Sequence, residues 1–117
     1  MKSFQEFLNE EKEEYGYHIT PKRNVKKILS YGLKPSIGPR SKKLGEKKKA
    51  TYLFHTPEHA EDAVGNWLGD HFHEDTPLSM LKVKIPHNAK RIPGAGYEHV
   101  ITSHIHPKHI SVHKHDV

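Results

Sequence analysis

The sequence predicts an α+β fold, because its helical patterns come early, its short period-two segments bunch late, and no strict strand-helix alternation builds a doubly wound sheet. At 117 residues the chain has room for one domain and one core. Phe4, Phe7 and Leu8 mark a short amphipathic helix, with Ser3 and Glu6 placed as a capping box. The charged run Glu10 to Glu14 resists burial, so the expected division is an N-terminal segment, 1–14, and a domain, 15–117. Tyr15 to Thr20 reads as a strand ended by Pro21. Asn24 is expected to cap a helix bearing Val25, Ile28 and Leu29, closed by Gly32 in a left-handed position.

Ser36 to Ala50 reads as a long loop. Thr51 to His55 is a second strand, with Tyr52 and Phe54 on one face and Leu53 on the other. Thr56-Pro57 starts a helix whose stripe is Ala60, Ala63, Val64, Trp67 and Leu68. Leu78 to Ile85 is a strand with Leu81, Val83 and Ile85 on one face; Ala89 to Ile92 is weaker. The turn at 93–96 follows, then His99 to Thr102 and Ile110 to His115 complete the strands.

Composition narrows the chemistry. There is no cysteine, which removes disulfides and thiolate zinc sites and suits a reducing compartment. The formal charge of +5 favours an anionic partner, and much of the excess sits in Lys42, Lys43, Lys47, Lys48 and Lys49, which also read as a plain solvated loop. No apolar run approaches a membrane span and no basic-then-apolar leader is seen, so a soluble protein without membrane contact is expected. Neither a G-x-G-x-x-G fingerprint nor a P-loop is present. Histidines at 71, 73, 104, 106 and 109 have the chemistry of metal ligands, but they lie in separate segments and read as surface residues; no metal is expected.

Three segments stand in a telling order: Tyr17-His18-Ile19-Thr20 before a helix and Leu33-Lys34-Pro35; Thr51-Tyr52-Leu53-Phe54-His55-Thr56 before a second helix; and Gly96-Tyr97-Glu98-His99-Val100-Ile101 before Ile105-His106-Pro107-Lys108-His109-Ile110. Together they resemble the ADP-ribosyltransferase fold over about residues 15 to 113, and most nearly the DNA-targeting toxins of that family. The resemblance implies a split β-sheet with two main helices, and NAD as substrate. It implies His18 on a ribose hydroxyl with Thr20 beside it, Tyr52 or Phe54 on the nicotinamide ring, and Glu98 on the nicotinamide ribose. Arg40 would take the pyrophosphate in a forked contact. A carboxylate fixed beside the ribose would stabilise the positive charge that develops as the glycosidic bond breaks. His18, Tyr52 and Glu98 are thus the expected catalytic residues.

Two departures narrow the acceptor. Gly96 stands where arginine-modifying members carry a Glu or Gln, and with Arg23, Arg40 and Arg91 alone the chain is poor in the arginines of RNA 2′-phosphotransferases. Separately, Met1 to Glu10 resembles the capsid-targeting peptide of T4-type phage internal proteins, cleaved after a glutamate. This implies storage in a virion, then action in the host cytoplasm on a nucleic acid or protein. Other readings stay open: a binding protein of the same fold without turnover, directed at a host defence, and a nucleic-acid-binding module. The plain alternatives are a histidine under the sheet bonded to backbone for His18, and an edge-strand carboxylate for Glu98.

Overall fold

In a computed structural model of the chain, residues 13–36, 49–66, 68, 72, 76–94 and 96–117 are described. The expectations for the first twelve residues, Arg40, Trp67, His71, His73 and four of the loop lysines (42, 43, 47 and 48) fall outside them. The chain forms β1 (Glu14–Pro21), a 3₁₀ turn (Lys22–Asn24), α1 (Val25–Tyr31), β2 (Thr51–Phe54) and α2 (Pro57–Asn66). There follow β3 (Leu78–Ile85), β4 (Arg91–Ile92), β5 (Glu98–Ile101), a second 3₁₀ turn (Pro107–His109) and β6 (Ile110–His115). This is an α+β fold with a six-stranded sheet in the order β4-β5-β2-β1-β3-β6, its neighbours all antiparallel.

The sheet is two units joined at one point. β1 and β3 pair along all eight residues of each, and β2 pairs β5 from Thr51↔Ile101 to Phe54↔Glu98. Between β1 and β2, however, the register holds one pair, Tyr17↔Phe54. Pleating sends alternate residues to opposite faces, which sorts the core into two layers. Leu53, Leu81, Val83, Ile85 and Ile101 pack with Val25, Leu33, Ile105 and Ile110, beneath α1. Ile19, Phe54, Leu78 and Met80 pack with Ala60, Ala63 and Leu68, beneath α2.

Local chemistry explains the helix ends, with corrections to the sequence reading. Thr56 caps α2 as its pattern predicts, its Oγ1 accepting from the His59 N–H at 3.1 Å. Asn24, by contrast, makes no side-chain cap: it lies in helical conformation, and the 3₁₀ turn leads directly into α1. Leu29 was assigned to the buried stripe, yet it is exposed, because a seven-residue helix presents only Val25 and Ile28 to the core. Gly32 does have positive φ, +85°, but its ψ of −173° is extended rather than left-handed helical. A Cβ there would lie 2.1 Å from the Ile105 carbonyl oxygen, so close backbone approach also requires glycine. β5 begins one residue earlier than expected, which makes Glu98 a paired strand residue.

Gly16 sets the approach of β1 to β2. A Cβ built on it would stand 2.5 Å from the Leu53 Cβ, and Leu53 is fully buried and cannot retreat. Gly16→Ala is therefore expected to lower unfolding stability by about 1–3 kcal/mol, read from urea melts. A variant as stable as the parent would show that the two strands do not touch there.

Candidate functional site

β1, β2 and β5 are neighbours, so His18, Tyr52, Phe54 and Glu98 come from adjoining strands. His18 sits at the seam, one residue past Tyr17, whose pair with Phe54 joins β1 to β2. Its Nδ1 lies 3.0 Å from the Tyr52 carbonyl oxygen. A carbonyl only accepts, so Nδ1 carries the proton and Nε2 of the neutral ring is left as an acceptor. Burial pushes the imidazole below its ordinary pKa, with the Tyr52 bond opposing, so the ring is neutral at pH 7. Among the described residues Nε2 has no partner.

Register divides the expected group. Tyr17, Phe54 and Glu98 are successive cross-strand partners and share a face; Tyr52, two residues from Phe54, shares it as well. His18 follows Tyr17, pairs with Leu81 and points to the other face. One pocket lined by His18, Tyr52 and Glu98 together is thus not what the pleat provides. Thr20 shares the His18 side of β1 and is buried. Glu98 is also buried, at 6% exposure, and β4 borders its strand only further along, at Val100 and Ile101.

On the Glu98 face, Phe54 is buried and stacked on Tyr97, with ring centroids 6.1 Å apart and planes 15° from parallel. These rings border a depression of about 200 Å³ closed by His59, Asp62 and Asn66 of α2. Tyr97 was not singled out from sequence as a site residue. An aromatic beside the proposed glutamate was the available signal, since it is partly exposed at 38%.

The opposite face holds a polar group that sequence reasoning also missed. Arg91 forks onto Glu14, with both contacts at 3.2 Å. The His99 Nδ1 lies 3.9 Å from Glu14, and the His55 and His99 rings are 4.1 Å apart. The Arg91 hydrogen bond holds Glu14 below the usual carboxylate range, while burial and then His55 push His99 down. Glu14 and Arg91 lie on strands three places apart in sheet order, about 14 Å in a flat sheet, so the sheet curls toward this side.

Three further histidines have structural partners. Nε2 of His104 donates to the Tyr31 carbonyl at 2.8 Å, and Nδ1 of His106 accepts from the Lys108 N–H at 3.1 Å. His115 is exposed, with its Nδ1 2.8 Å from the Ser79 Oγ, and it pairs within β6. Ser79 has no exposed surface, so no substrate reaches that hydroxyl and the pair fastens β6 to β3. Among the described residues no group of three or more His, Asp or Glu side chains is arranged to hold a metal ion. No family model, curated protein or solved structure matches the chain.

His18 gives the fold an acid sensitivity whose sign is fixed. Its folded pKa lies below the unfolded value, so above about pH 6.5 both states are neutral and the group contributes nothing. As pH falls through that value the unfolded chain binds the proton first and stability drops, levelling once the folded ring also protonates. Thermal midpoints measured from pH 7.5 to 5 should therefore fall less in His18→Gln, which keeps a neutral donor toward Tyr52. His99 and His109 shift in the same direction, so part of the dependence should persist.

Proposed function

We propose that the chain is an ADP-ribosyltransferase-like domain that engages NAD at the seam between β1 and β2. The observation that carries this reading is His18: a half-buried, neutral imidazole, its tautomer set by the Tyr52 carbonyl, with Nε2 left to accept from a ribose hydroxyl. The sequence resemblance supplies the rest of the assignment. The strand neighbours agree with it, since the histidine, aromatic and glutamate strands are adjacent in the sheet. Glu98, behind its Phe54 and Tyr97 rings, is the carboxylate that would stabilise a developing oxocarbenium charge in surroundings shielded from water. Its backbone is two strands from that of His18, about 10 Å, with the two side chains on opposite faces of the sheet. The acceptor would be a host nucleic acid or protein, and the N-terminal resemblance supports delivery from a phage virion.

A second reading, a binding protein of the same fold without turnover, is favoured by the register that turns the Glu98 carboxylate from the imidazole. Purified protein incubated with nicotinamide-labelled NAD separates the two. Turnover predicts nicotinamide release that falls at least a hundredfold in Glu98→Gln, about 2.7 kcal/mol of transition-state stabilisation, with NAD affinity little changed. Binding without release, lost in His18→Ala and kept in Glu98→Gln, would establish the second reading. Absence of both would sink the NAD assignment.

A further inference from the structure

The face that carries Glu98 has a second feature at the other end of the same row of residues. Register runs without interruption across five strands: Ser111↔Lys82, Lys82↔Tyr17, Tyr17↔Phe54 and Phe54↔Glu98. At about 4.8 Å per strand, Lys82 lies some 14 Å from Glu98 along one face. Around Lys82 is an open basin of about 220 Å³, lined by Tyr15, Lys84, Lys108, His109 and Ser111 among others. Lys84 is paired with Glu13 at 2.7 Å, and the Lys82 ammonium lies 4.6 Å from the centre of the Tyr15 ring. Among the described residues neither Lys82 nor Lys108 has a carboxylate in ion-pair range. The local field is positive enough to act on His109, whose imidazole is held below its ordinary value by burial first, then by Lys108, His106 and Lys84.

We infer that this basin seats the phosphate backbone of a single-stranded nucleic acid. The chemistry favours a strand over a lone phosphate. The donors are separated ammonium groups in an open basin, without a guanidinium fork, and such groups gain affinity by summing over successive phosphates. They contact backbone, not base edges, so recognition is independent of sequence. Tyr15, 37% exposed, adds an aromatic edge beside the charges, as strand-binding surfaces do. The inference deepens the reading above by naming the acceptor class and its seat. Binding itself needs no NAD, so the two fail separately: loss of nicotinamide release leaves this site untouched.

The test is fluorescence anisotropy of a labelled oligonucleotide of about twelve nucleotides, as DNA and as RNA, titrated with the full chain at about 50 and 200 mM salt. Lys82→Gln with Lys108→Gln should weaken binding about tenfold and lower the salt slope by about 1.5. The charge-matched pair Lys26→Gln with Lys27→Gln, on exposed α1 positions, should change affinity less than about twofold. Equal loss in both pairs would reduce the effect to net charge and overturn the site. So would displacement by inorganic phosphate at matched charge, which would mark a small-anion site, or by an acidic peptide, which would mark a protein partner. Lys108→Glu, a change at an exposed turn position, repeats the test without touching the sheet.

Discussion

The single pair Tyr17↔Phe54 is the constraint on which the rest of the architecture depends. β1 and β3, and β2 and β5, pair along their whole lengths, so each half is cohesive. At this pair the two halves share main-chain register, and just beyond it the His18 imidazole bonds the Tyr52 carbonyl of the neighbouring strand. Gly16 allows the close approach on the other side of the pair, against Leu53. The join is narrow because packing closes it on one side and a side chain closes it on the other.

That arrangement has chemical consequences for both faces. A neutral ring with a fixed tautomer is a hydrogen-bond acceptor and not a cation, so it suits a hydroxyl better than a phosphate. The carboxylate of Glu98 lies behind the sheet from it, in an interior strand beside stacked rings. Any ligand that uses both must pass the seam rather than lie on one surface. The curl fixed by Glu14 and Arg91 acts on the histidine face, and both partners remain well exposed, so it shapes the sheet more than it stabilises it.

Much of the fold was legible because its signals are local. Period-two segments gave β1, β2, β3 and β6, and Thr56-Pro57 gave the start of α2. What local pattern does not carry is the phase of one strand against another. Each strand shows which residues alternate, but whether Glu98 and His18 share a face depends on Tyr17 meeting Phe54, a contact across 37 positions of chain. The same limit hid the Ser79–His115 pair and the Glu14–Arg91 fork, whose partners are distant in sequence. Asn24 and Leu29 were misread for a different reason. A short helix entered through a 3₁₀ turn has neither the geometry for a side-chain cap nor the length for a full stripe.

The register shift between Met80 and Leu81 leaves His113 as an extra residue on β6, its ring edge-on to Tyr17 at 5.3 Å. An irregular outer strand with Lys114 beside the bulge is a poor template for another chain's backbone. At the opposite margin β4 has only two residues. Copies crowded together would meet through charged side groups and not through exposed main-chain amides, which keeps their sheets from fusing into fibres.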